Sequence, residues 1–144
     1  MKSATSCELR AASYELRAMS KTLNQNKMRN FKKLQIWQKG FEIAVDTYKL
    51  IDGFPKSEKF CLGQQATKAA ISIPSNIAEG SIRRSEKDYY RFIEISLGSS
   101  FELETQLLIA QAVDFGDKHL LSNTLNKIDE EQKMLIAFAN RLSS

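Results

Sequence analysis

Long apolar runs are missing from this chain, and so are most of the residues from which catalytic sites are built. The longest stretch without a charged residue runs from Ala69 to Ala78 and contains Pro74, Ser75 and Asn76. A spanning helix needs about 20 apolar residues, so no membrane span is expected. The N-terminus has no apolar core followed by a small-residue cleavage site, which speaks against a secretory signal and for a cytoplasmic protein. Histidine occurs once, as His119 beside Lys118, far in sequence from any cysteine or carboxylate cluster. A lone imidazole without a nucleophile or metal partner reads as a surface residue. Glu102 with Glu104, and the run Asp129, Glu130 and Glu131, lack the Glu-x-x-His pairs of di-iron bundles and read as solvated faces. Cysteine occurs twice, as Cys7 and Cys61, in no metal or redox spacing, which suits free thiols in a reducing compartment. No catalytic residue, metal ligand or cofactor is therefore expected, and the chain reads as non-enzymatic.

Turn formers are also scarce, with 6 glycines and 2 prolines among 144 residues, and few stretches alternate apolar with polar positions. Helical periodicity dominates, and the fold is expected to be all-α. With 42% apolar and 26% charged residues the chain is an ordinary globular one, long enough for one domain with a sizeable core. The net charge is +4, but residues 1–27 carry +3 of it, so the body is nearly neutral. A basic surface on the body has to come from local clustering.

Residues 1–27 form an N-terminal extension. Glu8-Leu9-Arg10-Ala11-Ala12-Ser13 repeats seven residues later as Glu15-Leu16-Arg17-Ala18-Met19-Ser20, which places Leu9, Leu16 and Leu23 in phase as a short helix with a heptad-like stripe. Asn24 to Lys27 reads as a linker, and Met28 is an alternative start to Met1. The domain proper, residues 28–144, reads as an antiparallel up-down-up-down four-helix bundle. Its first helix, about Lys33 to Asp52, buries Leu34, Trp37, Phe41, Ala44, Tyr48 and Ile51, and Gly53-Phe54-Pro55 stops it. The second, about Glu58 to Glu79, buries Leu62, Ala66, Ala69, Ile73 and Ile77, and Gly80 ends it with a positive φ. Ser85 caps a third helix, about Glu86 to Val113, which buries Tyr89, Ile93, Leu103, Leu107 and Ala110 with Ser96 and Ser100 in the same phase. After Asp114-Phe115-Gly116-Asp117 the fourth runs from Lys118 to Leu142 on Leu121, Leu125, Ile128, Leu135, Ala139 and Leu142.

Ser72-Ile73-Pro74-Ser75-Asn76-Ile77-Ala78-Glu79-Gly80 is helical by pattern yet carries a proline, which costs about 3 kcal/mol in a helix interior. Gly98-Ser99-Ser100 thins the third helix in the same way. Such breakers are expected to serve geometry. Lys68, Arg83, Arg84, Lys87 and Arg91 are the candidate cations for a phosphate-binding patch at one end of the bundle, beside Tyr90. The alternative for these residues is a solvated rim paired with Glu86, Asp88 and Glu94.

Leu34-x-Ile36-Trp37-Gln38, Gln65-x-x-Lys68-Ala69-Ala70-x-Ser72-Ile73-Pro74-x-Asn76-Ile77-Ala78-Glu79-Gly80 and Arg91-Phe92-Ile93-x-Ile95-x-x-Gly98-Ser99 with Glu102-Leu103-Glu104 together resemble the four-helix-bundle proteins encoded in 23S rRNA intervening sequences. The match spans residues 30–142. These proteins are similar in fold to the accessory variability determinants of diversity-generating retroelements, homopentamers whose basic surface engages nucleic acid and a reverse transcriptase. The resemblance implies a homo-oligomeric, pentameric bundle that binds RNA or a nucleic-acid-handling protein. It makes the Pro74 kink and the Gly98-Ser99-Ser100 waist packing devices, and Asn76 and Glu79 buried or interfacial polar groups in need of partners, with Asn76 capping backbone freed by Pro74. The alternative is a protein-interaction adaptor that docks through outer apolar residues such as Ile36, Phe60 or Tyr90, or through the N-terminal heptads.

Overall fold

The computed structural model describes residues 5–25 and 30–143, and it is helical throughout, with no strand among the described residues. An N-terminal helix α1 (Ser6–Gln25) is followed by a 3-10 turn (Phe31–Lys33), α2 (Gln35–Asp52), a single turn α3 (Lys56–Lys59), α4 (Leu62–Ser81), α5 (Glu86–Ala112) and α6 (Lys118–Ser143). Of the linker expected from Asn24 to Lys27, the first two residues belong to α1, and residues 26 and 27 lie outside the described residues.

Helices α2, α4, α5 and α6 form the bundle. α2 and α5 each pack against both α4 and α6, so they occupy opposite corners. Contacts across each pair fix the directions: Gly40 faces Ile73 while Gly63 faces Ile51, and Ser72 meets Ser99 while Gly80 meets Phe92. Lys39 pairs with Glu130, and Lys127 with Asp46 at 2.6 Å. Neighbouring helices therefore run in opposite directions, as helix pairs with short links do. Ile43, Leu50, Ile73, Ile77, Ile93, Leu103, Leu107, Ile128 and Leu135 fill the centre with almost no exposed surface. Each such side chain contributes roughly 1.5–3 kcal/mol by leaving water.

The ends follow local chemistry. The Asn30 side chain accepts from the Lys32 amide, and Gln38 Nε2 donates to the Lys32 carbonyl at 2.9 Å, tying the 3-10 turn to α2. Ser85 Oγ accepts from the Asp88 amide at 3.1 Å, so the expected cap of α5 is present. Between α5 and α6, Asp114 and Gly116 take φ of 60° and 79°. A side chain at Gly116 would also press on Leu50 and Phe54, which makes glycine the fitting residue there.

Several expectations change. The apolar stripe of α2 is shifted: Ile36, Gly40, Ile43, Ala44, Thr47 and Leu50 are buried, while Phe41 and Tyr48 are 50% and 56% exposed. The large aromatics drew the phase toward themselves, although Trp37 stacks on Phe41 at the surface, 5.2 Å between centroids. Ile36, expected on the outside, belongs to the core. The second helix breaks at Phe60–Cys61, where Cys61 takes φ −105° and ψ −97°, and restarts at Leu62. Gly80 does not end it by a positive φ; it lies inside α4, buried against Tyr89 and Phe92.

Candidate nucleic-acid interface

The turn between α4 and α5 and the first turns of α5 bring Arg83, Arg84, Lys87 and Arg91 to one end of the bundle, all exposed. Lys68 is exposed too, but it sits thirteen residues before Ser81 on α4, about 20 Å along the helix axis, and does not join them. Arg83 is engaged within the chain. Its Nη2 donates to Glu79 Oε1 at 2.9 Å, and its guanidinium carbon stands 4.5 Å from the Phe92 ring centroid. Glu79 thus has the arginine partner that its character called for, one turn away. Arg84, Lys87 and Arg91 have no ion pair among the described residues, so Glu86, Asp88 and Glu94 do not neutralise them by contact. Glu94 instead acts on Tyr90, raising its phenol pKa by charge and by hydrogen bonding. Tyr90 is half-buried rather than an outer residue.

Behind this end lies a small-residue junction of α4 and α5. Ser72 Oγ and Ser99 Oγ are 2.7 Å apart, Asn76 Nδ2 donates to the Ser72 carbonyl at 2.7 Å and to its Oγ at 2.8 Å, and Ser96 Oγ donates to the Ile73 carbonyl at 2.9 Å. Pro74 lacks the amide that would bond the Ala70 carbonyl, but the helix runs through it. Asn76 answers the Ser72 carbonyl, not the one that Pro74 frees. These bonds between elements hold α4 and α5 close where a bulky pair would separate them.

One buried group stands apart. Glu131 on α6 has 0% relative exposure, and neither carboxylate oxygen has a hydrogen-bond partner. It faces Gly40 of α2, whose absent side chain leaves it room, beside Pro74. Burial pushes its pKa up to about 8 against the opposing pull of Lys39. The run Asp129 to Glu131 is therefore not one solvated face: Asp129 and Glu130 are outside, Glu131 inside. Its position three residues after Ile128 and four before Leu135 was the available signal. His119, exposed at the start of α6, lies within hydrogen-bond distance of Asn123, at 3.2 Å. Among the described residues no three His, Cys, Asp or Glu side chains gather as a metal set, both cysteines are free and exposed, and no helix is long and apolar enough to cross a membrane.

Fold and surface together define a helical bundle that carries unpaired cations at one end and a buried polar junction behind them. The family model of the 23S rRNA-intervening sequence proteins matches residues 32–137, and the chain belongs to that family. A solved structure from Bacteroides thetaiotaomicron VPI-5482, described as a protein with unknown function from the S23 ribosomal protein family, is similar in fold. It shares 23% identity at a TM-score of 0.67, with 72% of this chain and 97% of that one covered. No curated protein matches the chain.

Proposed function

We propose that this chain is a non-enzymatic, self-associating bundle, a pentamer as the family resemblance implies, that binds RNA in the cytoplasm through the cations of the α4–α5 turn. The observation that carries the reading is the trio Arg84, Lys87 and Arg91, exposed and without ion pairs although carboxylates are interleaved with them. Cations left in this state favour phosphate oxygens, and contacts of that kind position a backbone without reading bases. Arg83, already paired with Glu79, contributes less, and Lys68 acts only on a strand long enough to follow α4.

Light-scattering mass and RNA affinity, measured on the full chain at low and moderate salt with a mixed RNA pool, test this. The expected result is an oligomer that gains mass with RNA at low salt. Its affinity falls steeply with salt, and Arg84→Ala/Lys87→Ala/Arg91→Ala flattens that slope by about 0.7 for each contact removed from a single strand. Arg83→Ala alone is expected to change the slope less. RNA binding that ignores salt, or no binding at either salt, overturns the reading. The second reading, a protein adaptor, is favoured by Phe60, 82% exposed beside the α3–α4 break. A nucleic-acid-handling protein docked there would respond little to salt.

A further inference from the structure

We propose that α1 of one copy lies along the outward face of α5 of a second copy, in a heptad seam whose closest approach is at Gly98. This contact rests on the self-association proposed above and specifies the surfaces that meet.

On α5, positions 87, 91, 94, 98, 101, 105, 108 and 112 follow one another at alternating steps of four and three, and every one is exposed. That spacing is the seam of a coiled coil. Its first two positions are basic and belong to the turn cluster, and the third is Glu94; the five that follow, Gly98, Phe101, Thr105, Leu108 and Ala112, are uncharged. Ile95, Ile109 and Val113 widen it, each with more than two-fifths of its surface exposed. The opposite face of α5 is equally apolar and fills the core of its own bundle. A helix apolar on both faces is built to be covered on both. Gly98 adds an independent mark. A side chain there would meet nothing within 4 Å, so nothing inside the chain calls for glycine in the middle of a 27-residue helix. Glycine there admits an approaching backbone from outside.

α1 supplies a matching surface. Leu9, Ala12 and Leu16 keep the same three–four spacing, and Leu9 and Leu16, seven residues apart as Phe101 and Leu108 are, are 61% and 67% exposed. The helix is about 30 Å long, and the α5 face from Ile95 to Val113 about 27 Å. Charge matches as well. α1 carries three cations, Arg10, Arg17 and Lys21, against Glu8 and Glu15, whereas α5 carries five carboxylates against two cations. Arg10 and Arg17 follow the two leucines directly, as Glu102 follows Phe101.

The test uses the full chain without its native thiols, Cys7→Ser/Cys61→Ser. One population carries Ala12→Cys and a second, mass-tagged population carries Thr105→Cys, and the two are mixed and treated with a short bismaleimide. Residues 12 and 105 lie at the middle of their stripes, and they meet in the antiparallel register that carries α1 across Gly98. The expected result is a tagged–untagged cross-link, lost together with a fall in light-scattering mass when Leu9→Asp/Leu16→Asp is introduced. An oligomer that keeps its mass with those aspartates and gives no cross-link overturns this contact and leaves the assembly reading standing. A monomer at all concentrations overturns both. A cross-link formed within a single chain carrying Ala12→Cys and Thr105→Cys, at a dilution where no oligomer is present, places α1 on its own bundle and overturns the proposal.

Discussion

A carboxyl group with no exposed surface and no hydrogen-bond partner, as at Glu131, keeps its proton near neutrality. Its pKa lies at about 8 in the fold and at an ordinary 4.5 in the open chain. Between those values the folded state holds one proton more than the unfolded one. Stability is fully present below pH 4.5, falls by up to about 1.4 kcal/mol per unit as pH rises toward 8, and levels off above. Glu131→Gln, nearly the same shape without the titration, is expected to flatten that slope. Denaturant unfolding of both chains at half-unit steps from pH 5 to 8 checks this; a wild type as flat as the variant would mean that Glu131 is solvated. Charge pattern hid this residue because it follows two exposed acids, while its place in the stripe of Ile128 and Leu135 is the better guide to where its side chain goes. Pro74 and Asn76 were legible as a break and a polar compensation, but which carbonyl Asn76 reaches depends on the approach of Ser72 to Ser99, a contact across 27 positions that no local pattern encodes.

The helices themselves differ in how far their sequences gave them away. α5 and α6 were readable almost to the residue, because Ser85 is a good cap and Leu121, Ile128 and Leu135 keep a clean phase. α2 was not, since Phe41 and Tyr48 outweigh Ala44 and Thr47 in any count of apolar bulk while the small residues are the ones that fit between α4 and α6. Two glycines make the same point about packing and propensity. In Gly80→Ala the new Cβ would stand 2.7 Å from Phe92 Cβ and 2.9 Å from a Tyr89 ring carbon. Overpacking of that order costs about 1–3 kcal/mol, more than the better helix propensity of alanine returns. In Gly98→Ala the space is open, and the isolated subunit is expected to gain up to about 1 kcal/mol. Thermal unfolding of dilute samples should therefore move in opposite directions for these two variants. A gain at Gly80 would show that α4 and α5 are not packed as closely as described.

For the molecule as a whole, mixed polar ties such as Lys127 with Asp46 and Gln132 with Glu104 span the helix pairs around the apolar centre. Hydrogen bonding to Asp46 raises the Lys127 pKa, so this lysine stays charged throughout the ordinary range. If the outward face of α5 is covered by another copy, folding and assembly are linked, and the midpoint of thermal unfolding should rise with protein concentration. A midpoint unchanged over a hundredfold range would count against self-association. The number of bundle helices, their order and the basic turn were legible from one chain. The corner that each helix occupies was not, because it is set by the shapes of faces that meet only after folding. Glu131 also alters the electrical identity of the protein. A formal charge of +4 counts its carboxylate as ionised, but with the group neutral the native chain carries about one positive unit more at pH 7. Folding at that pH takes up about one proton per chain from the buffer. Its measured heat must then shift between phosphate and Tris by nearly the difference in their ionisation enthalpies, and the native protein must migrate faster toward the cathode than its sequence predicts.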